Sequence, residues 1–138
     1  MDILLVEDET NLADVIARNL RAHAFSVSIA LTAEDALAEL GQSRPDILLL
    51  DINLPDFTGW ELLRKMTASS VKRPPVVVMS AGPISPQRIE QFRPERHIEK
   101  PFPMDALIRM LTELDKESGV GAEKGQMAGT ETSSREGQ

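Results

Sequence analysis

The sequence predicts an α/β domain built on a parallel β-sheet, and two features carry that prediction. Short apolar runs alternate with longer stretches whose apolar residues recur at helical spacing, and this alternation fills residues 1–115. The runs at 2–6, 46–50 and 75–79 are apolar on both faces, as strands are when helices cover each side of a sheet. Repeated strand–helix units of this kind form parallel sheets with right-handed crossovers.

The individual elements follow from the same patterns. Strands are predicted at residues 2–6, 25–30, 46–50, 75–79 and, more weakly, 97–99. Thr32 and Thr58 precede helical patterns and are predicted N-caps, because a side-chain oxygen there accepts a hydrogen bond from the first turn. The fourth helix is predicted to be short, at most about two turns near Gln87–Phe92, since prolines on both sides block a helix interior. The clearest helical stripe lies in the fifth helix and comprises Met104, Leu107, Ile108, Leu111 and Leu114.

Composition excludes several classes of protein. The 138 residues include no cysteine, so there is no disulfide framework and no thiolate site, which fits a reducing cytoplasm. A net charge of −7 without a basic stripe argues against a direct nucleic-acid surface. The longest apolar runs are far too short to cross a bilayer, so no membrane contact is expected. Residues 116–138 are rich in glycine and poor in apolar side chains, and we expect a disordered tail or linker there.

Charged and hydroxyl side chains fall where predicted strands end. Glu7 and Asp8 follow the first strand, Asp51 the third, Ser80 the fourth and Lys100 the fifth. Taken alone, each has an ordinary explanation as a helix cap, a turn residue or a solvated surface group. Because ligands of such sheets bind outside the carboxyl ends of the strands, the set together favours a site.

The residue types indicate phosphate chemistry. Clustered carboxylates repel one another, so at neutral pH they need protonation or a cation. Oxygen ligands without His or Cys select Mg²⁺, with Mn²⁺ as the alternative. Such an ion would let the Asp51 carboxylate attack phosphorus, while Lys100 and Ser80 contact other phosphoryl oxygens. The pattern therefore predicts an aspartyl-phosphate site.

The motifs LLVEDE, DILLLDINLPDFTGWELL, VVVMSA and EKPF occur in this order and together resemble the receiver domain of two-component response regulators, over about residues 2–115. The resemblance implies a flavodoxin-like, doubly wound sheet of five parallel strands in the order 2-1-3-4-5, with helices on both faces. It implies a cytoplasmic phosphorelay switch that receives a phosphoryl group from a histidine kinase or a histidine phosphotransfer protein. Such a domain catalyses only its own phosphorylation and dephosphorylation and is not a metabolic enzyme.

The resemblance also implies a role for each acid. Asp51 is similar to the phosphoacceptor, and Asp8 to a direct Mg²⁺ ligand. Glu7 would act on the metal largely through water. Asn53, two residues past the phosphoacceptor, would lend its backbone carbonyl to the same ion.

Other family positions are Ser80, similar to the switch hydroxyl, and Lys100, similar to the phosphoryl-binding lysine. The bond from Lys100 to Pro101 is expected to be cis, a state that proline tolerates. His97 stands where the family has an aromatic switch residue. It either fills the aromatic position without titrating or makes the output face sensitive to pH.

Two departures from the family pattern have consequences. The short fourth helix puts the usual dimerisation and output mode in doubt. Gly82, two past Ser80, leaves little side chain over the phosphoryl group, and with Asn53 on the other side the sequence predicts a short-lived phosphoprotein.

The alternatives belong to other classes of protein. One is a pseudo-receiver, a protein-interaction module that is never phosphorylated. Another is a phosphatase of the haloacid dehalogenase type, which expects a second acid where Asn53 stands. No DNA-binding or enzymatic domain is predicted within these 138 residues, so we expect either a downstream protein partner or an output domain missing from this sequence.

Overall fold

The computed structural model describes residues 1–69 and 72–123, with side chains described through residue 117. In that part of the chain, strands and helices alternate, and the chain divides after Met104 into two compact units. The strands are β1 (Asp2–Val6), β2 (Ser26–Ala30), β3 (Ile47–Asp51), β4 (Val76–Ser80) and β5 (Arg96–Glu99). The helices are α1 (Thr10–Ala22), α2 (Ala33–Gln42), α3 (Gly59–Ala68), α4 (Pro86–Phe92) and α5 (Met104–Glu123).

The sheet is parallel throughout and has the order β2-β1-β3-β4-β5, which confirms the predicted fold. Val6 pairs with Leu50 and Asp51 with Met79, so β1, β3 and β4 end at successive levels, each about one residue beyond the last. Because all five strands run in one direction, their carboxyl ends form a single edge of the sheet. That edge carries the candidate site.

Both faces of the sheet are buried, as the apolar strands predict. On one face, strand residues form a cluster with apolar residues of α2, α3 and α4; it includes Leu4, Val6, Leu48, Leu50, Val78, Leu40, Leu62, Met66 and Phe92. Since successive side chains of a strand point to opposite faces, Ile3 and Leu5 lie on the other face, where they are also buried. Helix α1 contacts β1 and β2 and buries Ile16 and Leu20.

The predicted N-caps are confirmed. The Thr32 hydroxyl oxygen accepts the backbone N–H of Asp35 at 3.0 Å and begins α2. The Thr58 hydroxyl oxygen accepts the backbone N–H of Glu61 at 3.1 Å and begins α3. Both contacts satisfy donors that the first turn of a helix leaves without an intrahelical partner.

Helix α4 is short, as the prolines predict. It spans seven residues, begins at Pro86 and follows Ser85, whose side chain accepts the backbone N–H of Arg88. Proline is compatible with the first helical position because its missing N–H would have no intrahelical acceptor there. The helix ends at Phe92, and its C-cap residue Arg93 adopts the left-handed conformation with φ 49° and ψ 57°.

Helix α5 buries Leu107, Leu111 and Leu114 of the predicted stripe. It continues to Glu123, although we predicted that the ordered domain ends near residue 115. Adding a turn to an existing helix is easier than starting one, and this lets the helix extend past its last buried leucine. Residues 124–138 of the predicted tail lie outside the described residues, so disorder there stays a prediction. Among the helices of the described residues, none combines the length and apolar character that crossing a bilayer requires.

Candidate functional site

The carboxyl edge of the sheet positions the predicted side chains through backbone hydrogen bonds. Asp51 and Ser80 are the last residues of β3 and β4, and Glu7 and Lys100 directly follow β1 and β5. The backbone N–H of Glu7 donates to the Ala30 carbonyl at 3.1 Å, and that of Lys100 donates to the Ser80 carbonyl at 2.7 Å. These bonds extend the pairing of the strands past their ends and hold both residues in place.

A single ammonium group joins two buried carboxylates at this edge. Lys100 Nζ donates to Glu7 Oε1 at 2.9 Å and to Asp51 Oδ2 at 3.0 Å. The two acids are 1% and 2% exposed, respectively, so neither charge is solvated by bulk water. Their remaining oxygens accept backbone N–H groups: Asp51 Oδ1 from Asn53 at 3.0 Å, and Glu7 Oε2 from Glu9 at 3.1 Å. Pairing and full hydrogen bonding are what buried charges require.

Asp8 adds a third, exposed carboxylate to this group. Glu7, Asp8 and Asp51 each offer one oxygen, and these oxygens lie within 4.8 Å of one another. With three carboxylates and one ammonium, the cluster keeps an excess of negative charge. Oxygens bound to one octahedral Mg²⁺ lie about 3 to 4 Å apart, since each is about 2.1 Å from the ion. The oxygen donors are of the type that Mg²⁺ prefers, and their separation of at most 4.8 Å is compatible with a shared ion.

The charges of the cluster shift two pKa values. Burial, together with the neighbouring Asp51 charge, raises the pKa of Glu7, although hydrogen bonds from Lys100 and Glu9 oppose the shift. Burial alone would lower the pKa of Lys100, but its hydrogen bonds to Glu7 and Asp51 outweigh that effect and raise it. Lys100 is thus held in its charged form, while the Glu7 carboxyl ionises less readily than an exposed one.

The other predicted site residues lie near the strand ends, but the described hydrogen bonds do not join Ser80 or His97 to the acids of the cluster. Ser80 is 8% exposed, and its hydroxyl donates to the Gly82 carbonyl at 2.6 Å rather than to an acid of the cluster. The Lys100–Pro101 bond is cis, as the resemblance implied. His97 is exposed on β5, where it pairs with Val78, and the described contacts do not join it to Ser80.

A cavity of about 320 Å³ lies beside Ser80. Asn53 lines it on the β3 side, Gly82 lines it on the β4 side, and Trp60 and Arg88 belong to α3 and α4. The cavity thus connects the carboxyl edge with the helix that follows the proposed switch hydroxyl.

Comparison with known proteins identifies the family. The response regulator receiver domain matches residues 3–112 of this chain. The chain belongs to this family. The cell cycle response regulator CtrA of Brucella abortus (strain 2308) is 33% identical to the receiver over 120 residues, which cover 86% of this chain and 51% of CtrA. The receiver therefore spans about half the length of such relatives.

Solved structures share the fold. The response regulator receiver domain protein (CheY-like) from Methanospirillum hungatei JF-1 is 27% identical, with a TM-score of 0.74 over 85% of this chain and 95% of that one. The response regulator TrrA from Thermotoga maritima, solved in complex with Mg²⁺-BeF, is 22% identical. Its TM-score is 0.72, and the match covers 82% of this chain and 97% of that one. At that identity the likeness to TrrA shows the fold alone.

The long-range hydrogen bonds of two charged residues were not predicted from the sequence. Asp56, in the loop between β3 and α3, accepts two backbone N–H groups of α2. Arg73, before β4, donates to the carbonyls of Phe92 and Arg93 at the end of α4. Each partner lies about twenty residues away along the chain, and no local pattern signals such a pairing.

Proposed function

We propose that the receiver accepts a phosphoryl group on Asp51 from the phosphohistidine of a histidine kinase or a phosphotransfer protein, with Mg²⁺ bound. One observation carries the proposal: the buried Asp51 carboxylate lies at a strand end within 4.8 Å of two further carboxylates and 3.0 Å from the Lys100 ammonium. This combination offers a nucleophile, a place for a divalent cation and a fixed positive charge.

Asp51 is the nucleophile in the proposed reaction. One of its oxygens forms a bond to phosphorus while the P–N bond to the donor imidazole breaks, and the electron pair of that bond stays on the imidazole nitrogen. Lys100 holds Asp51 in the present structure, and its ammonium is placed to bind a phosphoryl oxygen once the negative charge moves outward. Hydrolysis by water returns the Asp51 carboxylate and releases inorganic phosphate.

The receiver's own residues fit the proposed Mg²⁺ site in different ways. Asp8 and Asp51 would bind the ion through carboxylate oxygens and Asn53 through its backbone carbonyl. Both Glu7 oxygens already accept protein hydrogen bonds, which supports a role for Glu7 through water. When bound, Mg²⁺ supplies charge neutralisation for the phosphoryl oxygens.

Ser80 is the proposed switch. Its hydroxyl donates to the Gly82 carbonyl, and a phosphoryl group on Asp51 would offer it a stronger, charged acceptor. Exchange of acceptors would release Gly82 and shift the loop that leads to α4. Such a shift needs two conformations that the phosphoryl group stabilises unequally.

The output of this switch is a protein contact in our proposal, either with a separate partner or with an output domain of a longer protein. The receiver would have no metabolic activity beyond its own phosphorylation and dephosphorylation. A cytoplasmic location stays a prediction from composition. The two alternatives for His97, a ring that fills the aromatic position without titrating or a pH-sensitive group on the output face, stay predictions from the resemblance.

Intact mass after incubation with Mg²⁺ and acetyl phosphate tests the proposal. The wild type should gain one phosphoryl group, and Asp51→Asn should gain none. Asp46→Asn is a matched control, because Asp46 precedes β3 and accepts the backbone N–H of Asp2 at 2.7 Å, at the opposite end of the strand. A wild type that gains no mass would contradict the proposal.

A pseudo-receiver is the second candidate, and a histidine, His97, at the family's aromatic position and the seven-residue α4 favour it. Both features depart from the family pattern on the output side of the domain. If the chain is a pseudo-receiver, no variant gains mass on incubation with acetyl phosphate. A partner protein would then also bind the chain equally well with and without acetyl phosphate.

A further inference from the structure

Asp56 connects two elements that are distant in sequence. It lies in the loop between β3 and α3, and its two carboxylate oxygens accept the backbone N–H groups of Ala33 at 3.0 Å and Glu34 at 2.9 Å. Ala33 and Glu34 are the first two residues of α2. A carboxylate is favoured there because it satisfies free N–H donors and faces the positive end of the helix dipole.

Besides the contact with Asp56, the amino terminus of α2 has an N-cap from its own sequence, Thr32. The hydroxyl of Thr32 already accepts the N–H of Asp35, as is usual for a helix of this kind. Asp56 comes from a loop more than twenty residues away, so its contact ties that loop to α2 in addition to capping the helix. Desolvation would raise the pKa of Asp56, but backbone N–H donors, those of Ala33 and Glu34 foremost, together outweigh it and lower the pKa.

The rest of the β3–α3 loop is anchored at its base. The backbone N–H of Gly59 donates to the Ile52 carbonyl at 2.9 Å and closes the loop where α3 begins. A Cβ at Gly59 would lie 2.8 Å from the Asp51 carbonyl, so only glycine allows this approach. Asn53 follows the closed base, and Asp56 holds the tip. The Asn53 backbone N–H also donates to Asp51 Oδ1 at 3.0 Å. The amino side of Asn53 is therefore fixed at the base of the loop, while its carbonyl leads into the part of the loop that Asp56 holds.

We propose that Asp56 is a positioning residue for the Mg²⁺ site: by fastening the β3–α3 loop to the amino terminus of α2, it holds the Asn53 backbone carbonyl where the ion requires a ligand. This inference rests on the proposed function, in which Asn53 supplies that carbonyl. Mg²⁺ demands near-ideal octahedral geometry, so a loosened ligand weakens binding even when every ligand is still present. Groups that orient metal ligands typically contribute about tenfold or more to metal affinity.

The test compares Asp56→Ala, Asp56→Asn and Thr32→Ala in the full chain. Thr32→Ala removes the other cap of α2 and leaves the β3–α3 loop untouched. It should therefore destabilise α2 as Asp56→Ala does, without loosening the backbone of Asn53. Magnesium chloride is titrated into each protein and followed by calorimetry and by Trp60 fluorescence. Thermal unfolding shows whether the variants remain folded.

Asp56→Ala should weaken Mg²⁺ binding by about tenfold, Asp56→Asn should weaken it less because one acceptor oxygen remains, and Thr32→Ala should leave it unchanged. With acetyl phosphate, Asp56→Ala should need more Mg²⁺ for half of the maximal phosphorylation rate but should reach a similar maximum. If Asp56 served only to stabilise the fold, its loss would not raise the Mg²⁺ requirement while leaving the maximal phosphorylation rate unchanged.

Unchanged Mg²⁺ affinity in Asp56→Ala, with wild-type protein that binds the ion, would overturn this inference and leave the proposed function intact. Equal weakening by Thr32→Ala and Asp56→Ala would also overturn it, because stability of α2 alone would then explain the effect. A wild type that binds no Mg²⁺ would overturn the proposed function and this inference together.

Discussion

The carboxyl edge of the sheet and the α4 segment, defined as residues 81–95, are neighbours built in different ways. At the edge, Glu7 and Asp51 are almost fully buried, and Lys100, which follows β5, joins these acids from the ends of β1 and β3. Their positions are set by backbone pairing of parallel strands. The α4 segment instead has one short helix with a single fully packed residue, Phe92.

Side-chain contacts hold most of the α4 segment, and backbone pairing with β4 begins only at its last residue, Glu95, whose N–H donates to the Val76 carbonyl at 2.9 Å. The ring of Phe92 stacks on that of Trp60 of α3 with centroids 5.0 Å apart and an interplanar angle of 26°. The guanidinium groups of Arg64 and Arg88 lie over the same pair, at 5.5 Å from the Phe92 ring and 5.8 Å from the Trp60 ring. Arg73 binds the carbonyls that end the helix.

This contrast in packing indicates which part of the domain can change while the proposed phosphorylation is retained. Buried, paired charges tolerate little displacement, because an unpaired charge away from water is costly. Aromatic and cation–π contacts are individually weak and can be exchanged for others. The edge is thus suited to a fixed reaction and the α4 segment to a variable response.

The largest effect is expected at the edge, from Lys100→Met. This change leaves Glu7 and Asp51 buried without their cation, and breaking a buried pair in this way costs about 3 kcal/mol of unfolding free energy. Urea unfolding measures the loss, and added Mg²⁺ should restore part of it. Lys72→Met, at an exposed lysine, is the control. If Lys100→Met and Lys72→Met have the same free energy of unfolding, the ion pairs of Lys100 do not stabilise the carboxyl edge, and this expectation is wrong.

In the α4 segment, Phe92→Ala should cost about 2 kcal/mol, less than the 3 kcal/mol or more usual for a core phenylalanine, because a short exposed helix can relax around the gap. Because Phe92 lies outside the carboxyl edge, we expect phosphorylation by acetyl phosphate to proceed at roughly the wild-type rate. Urea unfolding and intact mass provide the two measurements. Loss of phosphorylation in this variant would show that the α4 segment and the edge are not separable.

Gly82 links the two regions, and its lack of a side chain predicts a short-lived phosphoprotein. A Cβ at Gly82 or at Gly41 would meet nothing within 4 Å, so both positions accept a larger residue. Gly82→Leu should slow hydrolysis roughly fivefold, equivalent to about 1 kcal/mol of barrier, by shielding the phosphoryl group from water. Gly41→Leu in α2 is the matched control. The decay of phosphorylated mass gives the rate, and a wild-type half-life of many hours would contradict the interpretation.

Arg88→Ala tests the cation–π contact of the α4 segment alone. Such contacts at exposed positions contribute about 0.5 to 1 kcal/mol, so the loss of stability should be small. The fluorescence of Trp60 should nevertheless change, because the guanidinium lies 5.8 Å from its ring. Arg18→Ala, on α1, should leave the emission as it is. An unchanged emission spectrum in Arg88→Ala would contradict a cation–π contact between Arg88 and Trp60.

The smallest effect concerns the pH dependence of the Asp56 contact. The folded-state pKa of Asp56 lies below its ordinary value of 3.8, so the contact stabilises the fold above that pH and is lost as the pH falls through the folded-state pKa. The stability difference between wild type and Asp56→Asn should therefore be constant near neutral pH and shrink below pH 3.8. Urea unfolding at several pH values measures it. A difference that grows in acid would have the wrong sign for this contact.

Local patterns in the sequence were enough to predict the order of the elements, both threonine caps, the short α4 and the strand ends that carry Glu7, Asp51, Ser80 and Lys100. These features depend on neighbours a few residues apart, where side-chain periodicity and backbone preference act directly. The strand order came from the family resemblance and is confirmed by the structure.

Contacts between groups that are distant in sequence depend on the tertiary structure. It pairs Lys100 with both acids, stacks Trp60 on Phe92, joins Asp56 to α2 and leaves His97 exposed. Each of these pairings depends on the distances and angles at which whole strands and helices cross. A charge or a ring in the sequence shows what it can bind, but the crossing of the elements determines which partner comes within reach.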